Sequence, residues 1–222
     1  MKAQRNTSEI TKLKDDEVYI SAVLTDIEIG SFISVYSELS PERKGKLASI
    51  AKSAEWKERH PLFIGLSAFE KGFTGLKEFV EKAYQSGSEI QNRLVAYIAL
   101  CGVYAQRSLS AQVFSGLLMV HESSVIRLKQ YLTPELLYLI VNDIDLDWRP
   151  LHYLVGEEFL AQYLGAQVNI QLLKHGLADL AVDFVDMLAK RSFIPSKLEM
   201  DLVGKLFIDR NCRFLRMFTH HS

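Results

Sequence analysis

The residues with the most chemistry in this 222-residue chain are its six histidines, its two cysteines and an alternating run of aspartates. None of them falls into a complete catalytic or metal-binding pattern. His121-Glu122 lacks the second histidine, one helical turn on, of a helical zinc site. Asp143, Asp145 and Asp147 alternate as in a calcium loop, but no glycine and no distal glutamate complete it. Gly65-Leu-Ser67-Ala-Phe69 lacks the second glycine of a nucleophile elbow. Gly45-Lys46 is followed by leucine, so no Walker A phosphate loop is present, and no Gly-x-Gly-x-x-Gly occurs. Cys101 and Cys212 stand in unrelated contexts, which excludes a disulfide framework and fits a reduced, cytoplasmic setting. The expectation is a chain without a self-contained active site, a metal or a cofactor of its own, and not an enzyme.

Composition agrees with a globular, non-membrane protein. Apolar residues are 48% and charged residues 24%, enough for a large core. The longest apolar stretches, such as Tyr97–Tyr104, are far short of the ~20 residues that span a bilayer. The N-terminus has no apolar h-region, so no secretory signal is expected. Net charge is −1, unlike a protein built to grip nucleic acid.

Twelve glycines and five prolines are few breakers for this length, and the periodicity is that of helices. Residues 1–19 read as a polar tail or connector, with a short strand possible over Val18–Leu24. Residues 20–85 read as a helical bundle. Thr25 and Glu28 have capping-box spacing, with Ile29, Phe32, Ile33 and Tyr36 on the inner face. Ser40-Pro41 ends this helix and starts the next. A third helix follows His60-Pro61, and a fourth opens at Thr74 with Leu76, Phe79, Val80 and Ala83 inward. Gln85-Ser-Gly-Ser88 reads as a linker and places a domain boundary there.

Residues 86–165 begin with a second capping box, Ser88 and Gln91, and a helix to about 106 that is apolar along Ile90, Leu94, Ile98 and Cys101. Ser108-Leu-Ser110 breaks it. A short helix to about 118, another over 123–131, a strand over Leu136–Val141, an acidic turn at Asn142–Asp147 and a helix from His152 or Tyr153 to about Leu164 follow. That order is a winged helix with a small β wing. The section carries five basic and eight acidic residues, which weakens a DNA-binding role. Residues 166–222 add amphipathic helices over about 168–190 and 195–207. The expected fold class is mainly α: a helical bundle, a winged-helix domain and C-terminal helices.

Three segments in this order carry a resemblance: His60-Pro-Leu-Phe-Ile-Gly-Leu-Ser-Ala-Phe-Glu-Lys-Gly-Phe73, Tyr97-Ile-Ala-Leu-Cys-Gly-Val-Tyr-Ala-Gln-Arg-Ser-Leu109 and Trp148-Arg-Pro-Leu-His-Tyr-Leu-Val-Gly-Glu-Glu-Phe-Leu160, with Leu206-Phe-Ile-Asp-Arg210 beyond. Over residues 20–210 the chain resembles the part of prokaryotic STAND NTPases, relatives of NOD-like immune receptors, that follows the ATP-binding core. That part is a helical lid, a winged helix and the start of a helical sensor. The resemblance implies that Pro61 packs on the adenine of a bound nucleotide and that His152 senses the β-phosphate of ADP. It implies a partner too, a P-loop core in cis or in trans, and homo-oligomerisation in the active, defence-signalling state. ATP or ADP belongs to that complete architecture; the isolated chain is expected neither to bind ATP tightly nor to hydrolyse it.

Simpler readings stand beside these. A proline at a helix start serves as a first-turn residue, and a histidine before a helix serves as a cap. Trp148 suits a core anchor, and Glu157-Glu158 suits the first turn of a helix. The alternative functions are a winged-helix nucleic-acid binder, read through Arg127 and Lys129, and a helical protein-interaction scaffold.

Overall fold

A computed structural model describes residues 24–39, 41–53, 58–70, 73–121, 123–142, 147–165, 170–190 and Gly204. These residues are mainly helical, with one small three-stranded antiparallel sheet. The chain divides into two compact units, Met1–Glu70 and Lys71–Ser222. The expected tail over 1–19, residues 18–23 of the expected strand, most of the acidic turn and the helix over 195–207 lie outside the described residues.

In the first unit, α1 (Asp26–Leu39) is opened by the expected capping box. Thr25 N donates to Glu28 Oε2 at 2.7 Å and Glu28 N donates back to Thr25 Oγ1 at 3.3 Å. A 3₁₀ turn at Pro41–Arg43 leads into α2 (Lys44–Ala51), and α3 spans Pro61–Phe69. Ile29, Leu47, Ile50, Phe63, Ile64 and Ala68 form the core. The edge-on rings of Tyr36 and Phe69 close one end. Arg43 Nη1 donates to the carbonyls of Ser67 and Glu70, satisfying orphan acceptors where α3 stops.

The second unit starts earlier than the boundary expected at residue 86. Its first helix, α4 (Leu76–Ser86), packs on α7 (Tyr153–Tyr163) with Leu76, Val80 and Ala83 inward. Gln85–Ser88 is no linker: buried Asn92 donates from Nδ2 to the carbonyls of Tyr84 and Gly87, and Ser86 Oγ bonds Thr133 Oγ1 at 2.8 Å. A polar turn was legible; its side-chain tethers were not. The N-cap of α4 is Gly75, one residue after the expected Thr74.

The Ser88–Gln91 capping box is present and opens α5 (Glu89–Leu100). This helix is not one-sided: Ile90 is exposed, while every residue from Leu94 to Leu100 is buried. It runs into a π-helical turn, Cys101–Ala105, closed by Gln106 in the left-handed region at φ 53°. Ser108–Ser110 is more than a breaker, since β1 (Leu109–Ser110) joins the sheet. The helix expected to about 118 is a four-residue 3₁₀ turn, Ala111–Phe114, followed by turns.

No helix forms over 123–131. Ile126 and Leu128 are buried while Val125, Arg127 and Lys129 are exposed, an alternation that belongs to extended chain, and only Leu128–Gln130 makes a 3₁₀ turn. The strand expected over Leu136–Val141 begins as a helical turn, α6 (Pro134–Leu137), capped by Thr133, and becomes β2 only at Ile140–Asn142. β3 (Asp147–Pro150) lies between β1 and β2, with Leu109 opposite Trp148 and Ile140 opposite Pro150. Trp148 is buried, as a core anchor should be.

Two glycines let the π-turn, β3 and α7 meet. A Cβ on Gly102 would stand 2.2 Å from Pro150 Cδ, and one on Gly156 would stand 2.6 Å from Val103 Cγ2. Finally α8 (Ile170–Ala189) packs on α5 through Phe184, whose ring lies 4.8 Å from that of Tyr97. Among the described residues no helix is long and apolar enough to cross a membrane.

Candidate functional site

His152 is the N-cap of α7. Its backbone is extended, and its Nδ1 accepts a hydrogen bond from Leu154 N at 3.2 Å. Nδ1 is thereby committed to the cap as an acceptor. The ring is half-buried and lies 4.4 Å from that of Tyr153.

The same histidine lines a cavity of about 290 Å³ at the head of α7. One wall is the end of the π-turn, with Gly102, Gln106, Arg107 and Ser108; the other is the junction of β3 and α7, with Arg149 and His152. Close packing of Gly102 on Pro150 holds the two walls together. Arg107, Ser108, Arg149 and His152 line it at the N-terminal end of the eleven-residue α7, and no Asp or Glu is in the lining. The set favours an anion. Arg107 and Ser108 were not singled out by sequence reasoning. The legible signal was a basic residue directly after the helix end and another directly before Pro150.

Pro61 is the first residue of α3 and half-buried, in the first unit, whereas His152 is in the second. His60, just before it, caps α3 with the same device as His152: Nδ1 accepts from Leu62 N at 3.1 Å. His60 is buried, and that burial lowers its pKa from the usual histidine value. Glu157 and Glu158 sit one turn beyond the first turn of α7, so they do not complement its dipole as expected.

A second cavity of about 440 Å³ lies beside α5 and α8. Its charges satisfy one another. Arg93 Nη2 and Tyr97 Oη both donate to Asp183 Oδ2 at 2.5 Å, and Lys190 pairs with Asp186. Burial acts to raise the pKa of Asp183, but the hydrogen bonds from Tyr97 and Arg93 outweigh it and hold the carboxyl below its ordinary value. Burial of the Tyr97 phenol and its bond to Asp183 push that group up. This arrangement ties α8 to α5. Cys101 is buried, and the loss of hydration pushes its thiol above the ordinary range.

No protein-family model, no curated protein and no solved structure matches this chain.

Proposed function

We propose that this chain is a non-catalytic regulatory part of a STAND-type nucleotide-dependent switch, which closes over a nucleotide held by a P-loop core in cis or in trans. The observation that carries the reading is His152: it caps α7 through Nδ1 and lines a cavity shared with Arg107 and Arg149. These residues fit the phosphate end of ADP. Pro61 would meet the adenine, as the first residue of α3. The order α5, β1, short helical turns, α6, β2, β3, with sheet order β1-β3-β2, supports a winged helix as the unit that carries His152.

In such a switch the closed state is favoured by whatever binds it better than the open one. Contacts between His152 and ADP would be made only in the closed state, so ADP would hold it. Opening would free surfaces for homo-oligomerisation and signalling in defence, in the reduced cytoplasm. Hydrolysis, where it occurs, would belong to the P-loop core.

The test is ADP retention by the chain together with such a core. His152→Ala is expected to weaken retention by roughly 5- to 150-fold, the effect of about 1–3 kcal/mol for one hydrogen bond to an anion. ADP retention that is indifferent to His152→Ala overturns the reading. The nucleic-acid alternative has lost its main support, because the basic helix it needs over 123–131 is not formed.

A further inference from the structure

In the first unit, α1 has the composition of a helix covered on both sides, and it is covered on one. Ile29 is buried, with Phe32, Ile33 and Tyr36 half-buried beside it. On the other side Ile27 is 83% exposed, Val35 55% and Leu39 64%. Single exposed apolar residues are ordinary, but these three lie eight and four residues apart, which sets them on one face. A helix apolar all round is the pattern of an enclosed one. Gly30 points the same way. A glycine inside a helix weakens it relative to alanine, and a Cβ at Gly30 would meet nothing within 4 Å, so no packing within the protein calls for it there. The close approach of another backbone would.

Charge selects the occupant. α1 carries Asp26, Glu28 and Glu38 and no lysine or arginine. Asp26 pairs with Arg59 and Glu28 closes the capping box, whereas Glu38 is exposed in the last turn, at the end of the helix dipole that favours a cation. Arg43, the first cation after it, is turned to the carbonyls of Ser67 and Glu70. A second copy would set one acidic helix against another. We infer that the outward face of α1 docks an amphipathic helix of a partner protein, apolar along one stripe and basic beside it. The switch reading assigns α1 no role, so the two stand or fall separately.

The probe is a labelled amphipathic helical peptide of leucine and lysine, titrated by fluorescence anisotropy into the full 222-residue chain, with a leucine–glutamate peptide of the same pattern beside it. The leucine–lysine peptide should bind saturably, at least about tenfold more tightly than the leucine–glutamate one, and should weaken as salt is raised. Val35→Lys and Leu39→Lys should each weaken it about tenfold or more, through lost apolar contact and added repulsion. Glu38→Lys should narrow or reverse the preference between the two peptides. Val182→Lys, at an exposed apolar position on α8, should change nothing. Each of these positions is exposed or half-buried at the surface of a helix, and circular dichroism checks that the fold is kept. No saturable binding, equal binding of the two peptides, or binding unchanged in folded Val35→Lys and Leu39→Lys overturns the inference. A wild-type dimer in sedimentation velocity that Val35→Lys dissociates also overturns it and gives the face to a second copy.

Discussion

Histidine plays an unusual part in this protein, because His60 and His152 use Nδ1 to accept the orphan N–H two residues on, where serine or aspartate is the common choice. A cap of this kind works only while Nδ1 carries no proton. For His60 the consequence is a pH dependence with a definite sign. Burial lowers its folded-state pKa below the unfolded value of about 6.5, so below that pH the unfolded chain binds more protons. The stabilising contribution is complete above about pH 6.5 and is lost as pH falls towards the folded pKa. His60→Asn keeps an accepting side chain but cannot titrate. Denaturant unfolding at pH 7 and pH 5 should show the wild type losing more stability than His60→Asn over that interval. An equal loss in the two proteins would show that folding does not lower the His60 pKa.

At the scale of elements, what was legible was local. Two capping boxes, Thr25–Glu28 and Ser88–Gln91, and the start of α7 at His152 depend on residues within one turn, and each is where the spacing puts it. What was not legible was tertiary. The apolar positions over 123–131 suit a helix, yet burial of Ile126 and Leu128 under an extended path wins. The Gln85–Ser88 turn has linker composition, yet Asn92 and Thr133 pin it. In the candidate site, His152 was readable from its neighbours, while Arg107 and Arg149 line the same cavity through tertiary packing, in which Gly102 lets Pro150 approach. α5 makes the same point in energetic form. Helix periodicity assigns it one buried stripe, but Ile98 lies in a stretch enclosed on all sides and is fully buried. Ile98→Asp places a carboxylate there without a partner. The expected cost is on the order of 3 kcal/mol or more, read as a fall in the unfolding midpoint of the second unit. An unchanged midpoint would mean that α5 is not packed as described.

For the molecule as a whole, charge and its placement bear on the nucleic-acid reading. A DNA-binding winged helix needs a basic face on one helix, because phosphate neutralisation supplies most of its affinity. Residues 86–165 have five basic side chains against eight acidic ones, and those five are dispersed. Arg93 is held by Asp183 and Tyr97, and Arg107 and Arg149 line the cavity at α7. That leaves Arg127 and Lys129, which are exposed but stand on extended chain and a single 3₁₀ turn, too short to fill a major groove. Two cations released against a net negative section give a shallow salt dependence and no base readout. Fluorescence-anisotropy titration of duplex DNA at physiological salt should therefore show at best nonspecific binding, with Kd in or above the ~10⁻⁴–10⁻⁶ M range of purely electrostatic contacts. A submicromolar, sequence-selective complex would require a basic surface that the second unit does not build from these residues. It would move the protein from the switch reading to the nucleic-acid one.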